Sequence, residues 1–345
     1  MKDNSMKAMV IERIKDTADE KSLKPVDRPI PEPADDQVLL KVSACGVCRT
    51  DIDEIEGRTA PSYFPVVPGH QVVGRIIKCG RSVKNLKTGE RVGVGWIFKS
   101  CGKCRYCVDG YENLCDEFIA TGRDADGGYA EYIIAYQDYA YHIPEFLTDI
   151  EAAPLLCAGS IGWRSLRLTK FENRNTIGLY GFGASGHIVI QIIRSLYPES
   201  KVFVFTRSKE EQKLALKLGA SWTGEITDRT PEVFDVAIDT TPAWLPVIYA
   251  LENLKKGGRL VINAIRKEPH DRENLMRLQY EKHLWLEKEI KSVANVTRRD
   301  IAEFLELSSQ ILVKPEITTY PFEEANTAIL DIKYSRNPGA KVLVF

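Results

Sequence analysis

Between Gln37 and about Tyr141 the apolar residues fall in short runs, Val38 to Val42 and Tyr129 to Ile134 among them, punctuated by Gly and Pro. This rhythm predicts a β-rich, barrel-like domain. Near Thr148 the pattern changes. A helical stretch holding Pro154 to Gly159 and Trp163 leads to strand-like Thr176 to Tyr180, a glycine turn and an apolar helix from about Ser185 to Leu196. Strand and helix then alternate: Val202 to Phe205 precedes Lys209 to Leu218, Phe234 to Ile238 precedes Trp244 to Leu254, and Arg259 to Asn263 begins another unit. Such alternation predicts a parallel, doubly wound sheet, giving an α/β chain with two different domains. After Ser292 come a helix near Asp300 to Leu312 and strand-like Glu316 to Thr319 and Lys341 to Phe345. The expected division is 1–157 for the β-rich domain, 158–294 for the doubly wound domain, and 295–345 for a return to the first.

At 345 residues the chain exceeds the size at which one core stops growing, in keeping with two domains. A net charge of −1 with both signs interspersed leaves no basic stripe, which argues against a nucleic-acid partner. Met1 to Lys24 is charged and lacks the apolar core of a secretory signal, and no run of 18 apolar residues occurs, so a cytoplasmic protein with no membrane partner is expected. In that compartment eight cysteines point to metal ligands before disulfides.

Cys101, Cys104, Cys107 and Cys115 form a C-x2-C-x2-C-x7-C run. Thiolates about 2.3 Å from a tetrahedral Zn²⁺ need tight turns that fold the sulfurs onto one point, and x2 spacings supply them. Four sulfurs leave no place for water, so this zinc would be structural. A bacterial iron–sulfur run would continue x3-C-P, whereas here the fourth cysteine comes after seven residues and Asp116 follows it.

Gly181-Phe182-Gly183-Ala184-Ser185-Gly186 follows the apolar strand and opens the helix, the context that a dinucleotide fingerprint requires. One glycine turns, the next admits the pyrophosphate, and the third lets helix and strand pack. At the end of the following strand, where an NAD site has an acid on the ribose, the chain has Thr206-Arg207-Ser208. Arg207 offers a donor fork to a 2′-phosphate and Ser208 a hydroxyl, which favours NADP over NAD.

Three further segments, Cys45-Gly-Val-Cys48-Arg49-Thr50-Asp51, Pro68-Gly69-His70-Gln71 and Leu155-Leu156-Cys157-Ala158-Gly159, combine with the cysteine run and the glycine turn. In the order and spacing of these motifs, from about Met6 to Phe345, the chain resembles the zinc-dependent medium-chain alcohol dehydrogenases. The resemblance implies a Rossmann domain beside a GroES-like catalytic domain, and two zinc ions per chain. It assigns Cys48, His70 and Cys157 to a catalytic zinc, leaving the fourth position open. Thr50 would carry the proton of the substrate oxygen, Asp51 would orient His70 from behind, and Arg49 would meet the cofactor pyrophosphate. Zinc supplies the Lewis acidity that favours loss of the alcohol proton. Trp96 and Ile55 are expected to wall an apolar pocket. Small alcohols, aldehydes and ketones are the implied partners, and the family is usually dimeric or tetrameric, so a homodimer or homotetramer is expected. A polyol, sugar or threonine dehydrogenase of the same superfamily is the nearest alternative, and a redox sensor without enzymatic activity a distant one.

Three positions depart from many relatives. Gln71 stands where Glu is common, Asp53 where a histidine often ends the proton relay, and Ala340 where several relatives have an arginine on the cofactor phosphates.

Overall fold

The computed structural model describes residues 5–16, 21–334 and 337–345, so part of the expected leader-free stretch, residues 1–4 and 17–20, lies outside the described residues. The chain separates into two compact units. One comprises Met1–Ser160, Val296–Ser309 and Glu316–Phe345, and the other Ile161–Asn295 and Gln310–Pro315.

The first unit is built on a seven-stranded sheet whose spine is the long strand Gln37–Val47. Its residues are buried along almost the whole length, because Gln71–Cys79 and Tyr132–Tyr136 pair antiparallel with it and apolar side chains cover both faces. Breaks in register near Leu39 and near Val42 bend this strand, as a closing sheet requires. Ala340–Val344 pairs antiparallel with its other end, so the C-terminus completes the domain that the N-terminal segments begin. The core gathers Leu40, Val42, Ile52, Val72, Val92, Tyr129, Ile329 and Leu343.

The second unit is a six-stranded, all-parallel sheet. Its spatial order is Trp222–Gly224, Lys201–Phe205, Thr176–Tyr180, Phe234–Asp239, Leu254–Ile262 and Glu289–Ser292. In chain order this is 3-2-1-4-5-6, the doubly wound arrangement in which the side to which successive strands are added reverses between the first and fourth strands. Every residue of Thr176–Tyr180 is buried, as a central strand covered on both faces demands. Among the described residues, no helix is long and apolar enough to cross a membrane.

Candidate metal centres and dinucleotide site

The strand Gln37–Val47 delivers Cys48 to the N-cap of the helix Arg49–Ile55. Cys48 N donates to Asp51 Oδ2 at 2.7 Å, so the acid three residues into the helix fixes the backbone that carries the thiol. His70 arrives from a different turn, immediately after Gly69 at φ +96°, where a Cβ would stand 2.3 Å from the Tyr129 ring. Only glycine fits there. Cys157 follows the short 3-10 turn Ala153–Leu156.

The structure brings these three side chains together. Their ligand atoms lie within 4.8 Å of one another, and Cys48 Sγ is 3.4 Å from His70 Nε2. A tetrahedral zinc with ordinary Zn–S and Zn–N bonds would hold S and N about 3.6 Å apart, so the spacing suits the ion. The other ring nitrogen, His70 Nδ1, faces Asp51 Oδ1 at 3.7 Å, and the Tyr129 hydroxyl donates to Asp51 Oδ2 at 3.2 Å. Asp51 thus touches the histidine, the helix start and the tyrosine while fully buried.

Electrostatics make the same point. Burial would push His70 down, yet Cys48, Asp51 and Glu54 around it bring it up to about 9. The Cys48 thiol is pushed well up by its hydrogen bond with Cys157, by burial and by the nearby acid Asp51. The rise at His70, against the effect of burial, reports negative charge gathered around the ring, which a divalent cation would neutralise.

Thr50 is half-buried in the first turn of the same helix, and Arg49 is exposed beside it. The Trp96 ring meets His70 edge-on, with centroids 4.9 Å apart. Ile55 behaves otherwise: it sits in the main apolar cluster at 0 % exposure, drawn inward because the buried helix face points to the core. Of the two expected wall residues, Trp96 is the one at the ligand group. Asp53 is buried as well and receives Arg58 Nε at 2.5 Å, a pairing that holds its charge against a cation. Gln71 is 2 % exposed and packs on Gly46, where a Cβ would come within 2.9 Å of it. Glu54 is a residue that the sequence reading missed. It is fully buried, and neither carboxylate oxygen has a hydrogen-bond partner among the described residues. Its signal was available as an acid four positions after Thr50, between two core isoleucines.

The second ligand set is local. The four sulfurs of Cys101, Cys104, Cys107 and Cys115 lie within 4.8 Å of one another, and those of Cys101 and Cys107 are 3.8 Å apart. The edge of a Zn–S tetrahedron is also about 3.8 Å. Cys104 N donates to Cys101 Sγ at 3.3 Å, and backbone N–H groups of Lys103 and Cys104 bring the Cys101 thiol down to about 6, favouring the thiolate that binds metal.

At the dinucleotide fingerprint each glycine has its own reason. Gly181 turns at φ +86°, and a Cβ on it would lie 2.5 Å from Thr240 Oγ1. A Cβ on Gly183 would meet nothing within 4 Å, leaving open space for a ligand, while one on Gly186 would stand 2.9 Å from Gly181 O, where helix and strand pack. Ala184 and Ser185 complete the turn, and Ser185 precedes the helix Gly186–Leu196. At the next strand end the three expected residues divide. Thr206 is buried and its hydroxyl donates to Glu211, Ser208 caps the helix Lys209–Lys217 by accepting from Glu211 N at 3.2 Å, and Arg207 is exposed. A carboxylate therefore does stand at this strand end, reaching back from the first turn of the helix. Ala340 is buried in its strand, and its neighbour Lys341 is turned inward, donating to Asn337 O at 2.8 Å, so neither replaces the absent arginine.

Comparison with known proteins agrees with this geometry. Residues 34–145 match the family described as "Alcohol dehydrogenase GroES-like domain". The chain is 40% identical over 320 residues to "Probable alcohol dehydrogenase AdhA" of Mycobacterium tuberculosis, covering 91% of this chain and 90% of that protein. It is 32% identical to an alcohol dehydrogenase of Geobacillus stearothermophilus over 98% of both chains. The solved structure of a cinnamyl alcohol dehydrogenase from Sorghum bicolor superposes with a TM-score of 0.86 at 25% identity, covering 99% of this chain and 97% of that one. With 40% identity over 91% of the chain to the first of these relatives and 32% over 98% to the second, the chain belongs to the zinc-containing medium-chain alcohol dehydrogenase family.

Proposed function

We propose that the protein is a zinc-dependent alcohol dehydrogenase that transfers hydride reversibly between the carbinol carbon of a small alcohol and C4 of a nicotinamide, with NADP preferred over NAD. The observation that carries this reading is the convergence of Cys48, His70 and Cys157 beside Thr50, with Asp51 behind the histidine. Zinc held by these three residues would act as a Lewis acid on the substrate oxygen. Thr50 then offers the hydroxyl that accepts the substrate proton, Asp51 keeps His70 Nε2 turned toward the metal, and Trp96 excludes water from one side. Cys101, Cys104, Cys107 and Cys115 hold a second, structural zinc. Gly181, Gly183 and Gly186 receive the pyrophosphate, Arg49 assists it, and Arg207 contacts the 2′-phosphate.

All eight cysteines are free and seven of them fall in the two ligand groups, which supports a reducing compartment, the cytoplasm. A homo-oligomer is supported by the edge strand Glu289–Ser292, exposed at every residue, Ile290 included, and near the exposed Trp285 in sequence. The polyol and sugar alternative has one observation in its favour: the guanidinium of Arg123 lies 5.5 Å over the Trp96 ring, placing a polar group beside the apolar wall. A panel of primary, secondary and aromatic alcohols, polyols and the matching carbonyls, assayed with NADP(H) and NAD(H) in parallel, tests the reading. Turnover of simple alcohols in preference to polyols, with NADP favoured, is expected.

A further inference from the structure

The crevice of a doubly wound sheet lies at the C-terminal ends of its strands where the order reverses. Here that point lies between Thr176–Tyr180, which runs into the Gly181 turn, and Phe234–Asp239. Phe234–Asp239 ends there in a carboxylate at 0 % exposure, and Asp239 is met by a cation, Lys267, whose side chain is 8 % exposed. The Lys267 ammonium donates to Asp239 Oδ2, to Thr241 O at 2.9 Å and to Ala243 O at 2.8 Å, so all three of its protons are used. The other carboxylate oxygen accepts from Thr241 N at 2.9 Å and Thr241 Oγ1 at 2.7 Å. One buried pair thereby holds three successive points of the loop 239–243.

That loop in turn backs the glycine turn. Thr240 N and Oγ1 both donate to Tyr180 O, at 2.9 and 3.1 Å, and Thr240 Oγ1 occupies the space that a Cβ on Gly181 would need. Stability alone is a poor reason for such a pair, since buried ion pairs often do no better than apolar residues of similar volume. Burial pushes the Asp239 carboxyl up from its ordinary value, and the hydrogen bonds from Lys267 and Thr241 recover only part of that cost.

We propose that Lys267 and Asp239 are positioning residues for the dinucleotide, holding the loop 239–243 so that the Gly181 turn keeps the shape that receives the cofactor. The proposal rests on the dinucleotide reading of the fingerprint given above. It predicts an effect on cofactor affinity rather than on the chemical step. Lys267→Met combined with Asp239→Leu removes both charges without leaving either one orphaned, and Lys267→Arg keeps the charge while replacing the three-proton donor by a planar fork.

The experiment titrates zinc-replete wild-type and variant proteins with NADPH and NADH, following nicotinamide fluorescence, and then measures alcohol oxidation over a range of cofactor concentrations. Expected for the double variant are a Kd and cofactor KM raised about tenfold or more, kcat at saturating cofactor within about threefold of wild type, and a melting temperature close to wild type. Lys267→Arg is expected to fall between, with at least a threefold rise in Kd. A folded double variant whose Kd stays within twofold of wild type overturns the proposal, and if that variant does not fold, an unchanged Kd for Lys267→Arg does the same. If the wild type binds dinucleotide but oxidises no alcohol, the functional reading fails while the loss of binding in the variants still supports this one. A wild type that binds neither dinucleotide overturns both.

Discussion

Replacing Asp51 by asparagine tests whether the acid behind His70 serves the metal or only the helix. The substitution is nearly isosteric at a site with 0 % exposure, so packing is preserved. An amide oxygen can still accept from Cys48 N and from the Tyr129 hydroxyl, which keeps the helix start as it is. Only the face toward His70 changes, where a carboxylate oxygen 3.7 Å from Nδ1 becomes an NH2 group pointing at a ring N–H. Losing the partner that fixes a ligand histidine costs about 10- to 100-fold in metal affinity. That is about 1.4 to 2.7 kcal/mol. The assay is a chelator competition read by elemental analysis, with far-ultraviolet circular dichroism as a control for folding. The variant is expected to give up one of its two zinc ions at a chelator concentration at least tenfold below that needed for wild type, and to retain the other, held by four sulfurs distant in sequence. Zinc retention and kcat both equal to wild type would refute the reasoning and leave Asp51 as a helix cap.

Thr50→Ala is expected to lower kcat by about 10² or more, the usual loss for a general acid–base group, while Thr50→Ser keeps most of the activity. Steady-state rates at saturating cofactor check both. Arg207→Leu should reduce the NADP to NAD ratio of kcat/KM by about 10- to 100-fold, since a charged hydrogen bond contributes about 1.5 to 3 kcal/mol, and Glu211→Gln should raise it by removing a negative charge beside the same phosphate. Burial alone would raise Glu252, but hydrogen bonds from Lys282 at 2.7 Å and His283 at 3.3 Å hold it below its ordinary value of 4.5. A depressed acid stabilises the fold above its unfolded value and loses that contribution as pH falls through the folded one. Glu252→Gln should therefore lower stability by about 0.5 kcal/mol near pH 7, after allowance for screening, and by progressively less as the pH falls through the folded value, as read from denaturant midpoints.

Features that depend on neighbours in sequence were legible without a structure. The strand Thr176–Tyr180, the turn through Gly186 and the sulfurs of Cys101 to Cys115 each follow from local geometry, because a tight turn or an x2 spacing constrains only a few residues. Cys48, His70 and Cys157 were different. No local rule links residues so far apart, and their meeting depends on Gln37–Val47 pairing with Gln71–Cys79, so resemblance had to supply what periodicity could not. The misplacement of Ile55 has the same origin, since an apolar residue on a helix reads alike whether it faces the core or a pocket. Glu211 escaped notice because counting along a strand to its last residue ignores a side chain that reaches back by one helical turn. Glu54 escaped because an acid on a short helix is ordinarily solvated, and only tertiary packing buries it.

The central claim is that Cys48, His70 and Cys157 hold a zinc on which alcohol oxidation depends. It is tested most directly by removing the more labile zinc with a chelator and following cofactor reduction at 340 nm with a simple alcohol, before and after zinc is restored. The account predicts activity that falls in proportion to the loss of one zinc per chain and returns when that zinc is restored, while Cys157→Ser stays inactive throughout. Undiminished alcohol oxidation by protein lacking that zinc, or by the Cys157→Ser variant, would contradict it.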